Sequence, residues 1–239
     1  MVRLPWQITR KMFLSEDDVD ALLAHLSEKI RRAEPGEIGP HIDEVIIRSL
    51  LFSGLRNSEF CGLALANTCL GAGESLFRVR GTPREDRDVF VPGELSDLIR
   101  RFVKEIRPQC LSEGASPRDL SLPLVLNDRG RPYERTGLYR RVVRILTEAG
   151  FKDRARVQLL RHTYGYLAYK RSGGNLLFVQ RQLGHAHPLV TSIYAQFVDE
   201  PYAEMADRLI HRDSFNKPPR HKPRRQRVTH SRVIRFRGD

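Results

Sequence analysis

The stretch SLFRVRGTPREDRDVFVP, residues 75–92, constrains the fold most. It holds two runs rich in β-branched and aromatic residues, SLFRVRG (75–81) and DVFVP (88–92), around a polar turn, TPREDR. Such runs read as two strands joined by a turn. LPLVLNDRGRPY adds one short extended piece. Nearly all the rest of the chain carries helical spacing. The expected fold class is mainly α with a small antiparallel β-sheet (α+β).

The helices are bounded by local signals. LSEDDVDALLAHLSEKIRR (14–32) opens on Ser15 as an N-cap, has acids in its first turn, and repeats Val19, Leu22, Leu23, Leu26 and Ile30 at helical spacing. AEPGEIGP (33–40) breaks it. IDEVIIRSLLFSG (42–54) is apolar on most faces and reads as a buried helix. A short third helix is expected over 58–66, an amphipathic one over 93–107, and another from Glu134 to Ala149, stopped by Gly150. Helix 158–172 ends at Gly173 and Gly174. Asn175 caps the next, which stops at Gly184. Pro188 opens a short helix bearing Tyr194, and an amphipathic helix over 200–211 closes the body.

The net charge is +12 over 239 residues, and it is unevenly spread. Residues 212–239 carry ten Lys/Arg against two acids, and so hold +8 of the total. That surplus favours a polyanionic partner, most often nucleic acid. Segment 1–211 is expected to form the folded domain. Segment 212–239, rich in Pro and Arg, is expected to be disordered without a partner. Its Arg220, Lys222, Arg224, Arg225 and Arg227 are the candidate DNA-binding cations. Cys61, Cys69 and Cys110 follow no metal or redox spacing, which suits a reduced intracellular compartment. No window has the apolar length needed to span a membrane. Nothing in the sequence calls for a metal or another cofactor.

Three patches could carry chemistry together. SGLRNSEF presents Arg56 at the start of a short helix, with Glu59 one turn on. LLRHT presents Arg161 near the start of another. LGH presents His185, and Tyr194 follows nine residues later. They span about 140 residues, so only folding can unite them. Two fixed guanidiniums can grip the non-bridging oxygens of a phosphodiester bidentately, and a histidine can add a hydrogen bond. A phenol, with a reference pKa of about 10, also gains from nearby arginines when it ionises. The set suits phosphoryl transfer to a tyrosine.

Taken in order, GLRNSE, RHT, LGH and Tyr194 resemble the motifs of the tyrosine recombinases, the phage integrase family of site-specific DNA recombinases. The resemblance covers residues 10 to 211, and the 24-residue step from Arg161 to His185 fits it. It implies the catalytic-domain fold of that family and a set of catalytic residues: Arg56, Arg161, His185 and the nucleophile Tyr194. It implies attack by Tyr194 on a phosphate of double-stranded DNA, a 3′-phosphotyrosine link and a released 5′-hydroxyl, without ATP or metal. It also implies a homotetramer acting on two DNA sites, in integration, excision or inversion, in the cytoplasm at the nucleoid, often for a mobile element.

Three features depart from the family pattern. The proton-transfer histidine three residues before Arg161 is replaced by Gln158, which can hydrogen-bond but cannot take a proton at neutral pH. His162 lies about 100° round the helix from Arg161 and reads as a structural histidine, not a substitute. No lysine occurs in the hairpin. Thr82 stands at its place, and Arg80 or Arg84 is the cation at hand. Arg80, Arg84 and Arg87 read equally as a solvated or phosphate-touching turn. Finally, no separate N-terminal core-binding domain is evident before Arg56, so the basic tail is expected to help hold DNA. The alternative reading is a DNA-binding accessory or regulatory protein of this fold with weakened catalysis, favoured by Gln158 and the missing lysine.

Overall fold

The computed structural model describes residues 8–71, 73–81, 86–112, 114–117, 119–127 and 129–198. Thr82, Arg84, the expected helix over 200–211 and the basic tail lie outside the described residues.

Helix α1 (Glu16–Arg31) starts as its sequence dictates. Ser15 Oγ accepts from Asp18 N at 3.0 Å, and the Asp18 carboxylate accepts from Ser15 N at 3.0 Å. Two orphan amides of the first turn are thereby satisfied reciprocally. Helix α2 (Gly39–Ser53) begins three residues before the expected start, because Pro40 sits in its first turn, where a missing N–H costs nothing. It ends on Gly54, whose φ of 64° is left-handed. Ile42, Val45, Ile46, Ile47, Leu50 and Leu51 of α2 are buried. Helices α1, α4 (Gly93–Arg101), α5 (Arg135–Glu148) and α6 (Val157–Arg171) pack around this central rod.

A charged group of α2 lies within that packing. Asp43, on α2, is 1% exposed. It is neutralised by Lys29 of α1 at 3.0 Å and by Arg141 and Arg144 of α5 at 2.6 and 3.2 Å. A buried carboxylate with three cations ties α1 and α5 to the rod. Removing the cations would leave an uncompensated buried charge.

The sheet has three strands among the described residues, β1 (Thr68–Leu70), β2 (Ser75–Val79) and β3 (Arg87–Phe90), antiparallel in that order. Leu76 pairs with Phe90, and Val79 with Arg87. Phe77 and Val89 turn inward and are fully buried. The expected pair is present. The first strand was not expected, because three residues show no periodicity. It exists because Ser75–Phe77 offer it a ladder. The extended piece of LPLVLNDRGRPY appears as two isolated bridges, Ala64 with Pro123 and Leu126 with Pro132.

Three helices are shorter than expected. The third, α3 (Asn57–Cys61), stops at Gly62, and a separate 3-10 turn follows at Leu65–Asn67. Helix α4 passes at Phe102 into a π turn and then a 3-10 turn holding Pro108. The buried Arg107 there donates to Pro123 O and Leu124 O at 2.9 and 3.1 Å, pinning the following loop. Helix α7 (Leu176–Leu183) is capped by Asn175, whose side chain accepts from Phe178 N at 2.9 Å. Helix α8 (Leu189–Ser192) is a single turn. Tyr194 therefore lies just beyond that helix, before the 3-10 turn Ala195–Phe197. No helix among the described residues is long and apolar enough to cross a membrane.

Candidate functional site

The site forms where two helices end. Helices α2 and α7 both stop at left-handed glycines, Gly54 (φ 64°) and Gly184 (φ 62°). The terminal carbonyls of a helix carry partial negative charge and lack intrahelical partners. Two guanidiniums satisfy them. Arg161, in the second turn of α6, donates to Gly54 O and, at 2.7 Å, to Leu183 O. Arg56, the N-cap of α3, donates to Gly184 O at 3.1 Å. Two arginines 105 residues apart in sequence thus meet on consecutive carbonyls of α7.

Glu59 sets the pose of Arg56. One carboxylate oxygen accepts from Arg56 Nη1 at 2.6 Å, and the other from Arg56 N at 2.8 Å. Arg87 grips the same carboxylate bidentately, with both distances 2.9 Å, and donates to Gln182 O at 3.2 Å. Burial raises the Glu59 pKa, but the Arg87 bonds and the Arg56 amide outweigh it and hold the carboxyl at about 2. Glu59 is therefore ionised throughout the physiological range. Arg87 is no solvated turn residue, since its side chain is 13% exposed. It joins the hairpin to α3 and α7.

Burial disfavours the charge on Arg161, and the neighbouring Arg56 adds to the effect, bringing its pKa down to about 9. The group remains protonated at neutral pH. A guanidinium has five N–H donors, so anchoring on carbonyls leaves donors for an incoming anion. An anion placed there would relieve the repulsion between the two arginines.

His185 follows Gly184 directly. Its Nδ1 lies 2.9 Å from Oγ1 of Thr191, which is fully buried on α8. Tyr194 is 1% exposed, with its ring against α6 at Gly165. Its Oη lies 3.2 Å from Nδ1 of His162, the residue expected to be a structural helix histidine. That expectation measured His162 against Arg161, its immediate neighbour. Burial pushes the Tyr194 phenol up to about 12, against the pull of Arg161. Burial, then the Arg161 charge, pushes His162 down to about 4.

The structure brings Arg56, Arg161, His185 and Tyr194 onto α3, α6, the α7–α8 turn and the segment after α8. Gln158 is exposed on the first turn of α6. Arg80 pairs with Asp86 at 2.5 Å at the base of the hairpin turn, and its side chain is 63% exposed. Arg84 and the tail cations Arg220, Lys222, Arg224, Arg225 and Arg227 lie outside the described residues. Sequence reading missed Gly165, and it named Arg87 and His162 without foreseeing their contacts with Glu59 and Tyr194. For Gly165 a signal existed: glycine inside a helix costs about 1 kcal/mol against alanine, so its presence in TYGYLAY marks a close approach. Among the described residues no group of three or more His, Cys, Asp or Glu could hold a metal ion.

The pattern of the phage integrase family matches residues 12–200. The chain is 29% identical over 182 residues to tyrosine recombinase XerC of Halalkalibacterium halodurans, covering 76% of this chain and 56% of that protein. It is 29% identical over 178 residues to tyrosine recombinase XerA of Saccharolobus solfataricus, covering 74% and 53%. It thus spans about half the length of these relatives. Its fold is similar to that of XerH site-specific recombinase bound to difH substrate in a pre-cleavage complex, with a TM-score of 0.65, 22% identity and coverage of 85% of this chain and 55% of that one.

Proposed function

The chain belongs to the phage integrase family, and from that premise we propose that it is a tyrosine-type site-specific DNA recombinase. It cleaves and rejoins double-stranded DNA through a 3′-phosphotyrosine intermediate. The observation that supports this best is the convergence of Arg56 and Arg161 on Gly184 O and Leu183 O, beside His185, with the Tyr194 ring packed against Gly165 of α6, the helix that bears Arg161.

In this reading the scissile phosphate sits on the two guanidiniums. Carbonyl anchors fix both before DNA arrives, so little reorganisation is needed when charge develops on the non-bridging oxygens. Preorganised donors of this kind are worth about 3–4 kcal/mol each in the transition state. Thr191 orients His185, which donates a further hydrogen bond to the same oxygens. Glu59 and Arg87 hold Arg56. Tyr194 forms the bond to phosphorus while the 5′-oxygen departs, and a 5′-hydroxyl of a partner strand reverses the step. The active assembly is a homotetramer on two DNA sites, at the nucleoid in the cytoplasm. Residues 1–211 act as the catalytic domain, and the basic tail adds contacts to phosphates.

A second reading, a DNA-binding accessory protein with weakened catalysis, draws on the exposed Gln158 and the absence of a hairpin lysine. One experiment separates the two. A duplex recovered from a randomised pool by binding to the protein is nicked to make a suicide substrate. The recombinase reading expects a covalent protein–DNA adduct that Tyr194→Phe abolishes. Tight binding with no adduct from the wild type favours the accessory reading.

A further inference from the structure

The attack by Tyr194 has to dispose of one proton, and the sequence places no base at position 158. We propose that His162 takes the Tyr194 proton during attack, one helical turn beyond the exposed Gln158 on the same face of α6. The proposal rests on the recombinase reading above and deepens it.

Geometry carries the argument. His162 Nδ1 lies 3.2 Å from Tyr194 Oη, within hydrogen-bond reach for a general base. The phenol is 1% exposed, so bulk water does not reach it where it rests. Residues four apart on a helix are stacked on one face. Position 162 is therefore the neighbour of position 158 along the α6 stripe, although it lies well round the helix from Arg161. Gly165, three residues further along that stripe, lacks the Cβ that would overlap the Tyr194 ring. The stripe 158–162–165 thus seats the tyrosine and supplies the acceptor. An amide at 158 cannot take a proton at neutral pH, whereas a neutral imidazole can.

The protonation states agree. Burial and the Arg161 charge keep His162 neutral at pH 7, so a lone pair is available on Nδ1 when Nε2 carries the hydrogen. At rest the phenol, at about 12, keeps its proton against an imidazole at about 4. A phosphodiester on Arg56 and Arg161 offsets the Arg161 charge and so raises the basicity of His162. The proton then moves only when DNA is seated. In the step, the Tyr194 Oη–P bond forms and the P–O5′ bond breaks. The phenolic proton goes to His162 Nδ1. Solvent water protonates O5′, and the resulting hydroxide takes the proton from the imidazolium. The products are the phosphotyrosine diester and a 5′-hydroxyl, so atoms and charge balance.

Single-turnover adduct formation on the nicked suicide duplex tests this, with Tyr194→Phe as the blank. His162→Ala should be slower by about 10²–10⁴-fold, with DNA affinity and melting temperature close to wild type. Added imidazole should restore part of the rate. His162→Asn, which can still hydrogen-bond the phenol, should be as slow as the alanine variant. On a duplex with sulfur at the scissile 5′-bridging position, a leaving group that needs no proton, the His162→Ala deficit should persist. A folded His162→Ala protein that cleaves within a few-fold of wild type overturns the proposal. So does a deficit that vanishes on the sulfur substrate, because His162 would then serve the leaving oxygen. A separate arm needs no DNA: in ¹⁵N-histidine spectra of the free protein, His162 should show an unprotonated Nδ1 whose signal shifts in Tyr194→Phe. A protonated Nδ1 at neutral pH overturns the proposal whether or not the wild type cleaves DNA. A wild type that forms no adduct, with Nδ1 unprotonated, overturns the recombinase reading and this proposal with it.

Discussion

Gly165 and Tyr194 occupy the same space: a Cβ on Gly165 would stand within 2.6 Å of Tyr194 Oη and closer still to the ring carbons. The absence of one methyl group therefore decides where the phenol can rest. Gly165→Ala should displace the ring. The expected cost is about 1–3 kcal/mol, as for other insertions into a packed interior, offset in part by the better helix propensity of alanine. Urea unfolding gives the stability, and tetranitromethane nitration mapped by mass spectrometry gives the exposure of Tyr194. An alanine variant with wild-type stability and a protected Tyr194 contradicts the packing described.

Arg56 and Arg161 differ from ordinary DNA-binding cations because carbonyls hold them. Alanine at either should lower cleavage by orders of magnitude while changing DNA affinity far less, because their value lies in transition-state charge. Arg161→Lys should also be poor, since an ammonium cannot span Gly54 O and Leu183 O and still present a fork to phosphate. Cleavage within a few-fold of wild type in either alanine variant would remove that arginine from the site.

Glu59 makes stability depend on acid. Its folded-state pKa, about 2, lies below the ordinary 4.5, so its contribution is full above about pH 4.5 and is lost as pH falls toward 2. By linkage the loss is at most about 3 kcal/mol. His162 acts in the same direction at higher pH. Its pKa of about 4 lies below 6.5, so stability declines as pH falls from about 6.5 to 4. Urea midpoints measured from pH 7 to 3 should fall in wild type. Glu59→Gln should start lower and fall less between pH 4.5 and 3, and His162→Ala should fall less between pH 6.5 and 4. Parallel curves for all three proteins would show that neither group is linked to folding.

The tail, residues 213–239, is predicted to supply affinity without sequence preference. Its deletion should weaken binding to any duplex and flatten the plot of log affinity against log salt. The slope should change by about 0.9 for each phosphate that the tail neutralises. If the deletion alters assembly and leaves the single-protomer salt slope as it was, the tail docks on protein and not on DNA.

Much of this protein was decided locally and could be read from the chain. Ser15, Asn175, Gly54 and Gly184 mark helix ends because a cap or a left-handed glycine acts on its own turn. The β2–β3 pair was legible because two runs rich in β-branched and aromatic residues flank a polar stretch. The residue types of the site were legible too, since GLRNSE, RHT and LGH each sit at a helix end where a guanidinium or imidazole can project. What the tertiary structure decided depends on distant partners. Thr68–Leu70 is a strand only because Ser75–Phe77 pairs with it. Arg87 belongs to the site because Glu59, 28 residues earlier, takes both arms of its guanidinium. His162 meets Tyr194 across 32 residues because α8 and the turn after it lay the ring over Gly165. Sequence periodicity reports which face of an element is apolar, through spacings of two, three and four residues. It carries no record of which other element that face will meet. That is settled by how the helices pack around α2 and on one another at once.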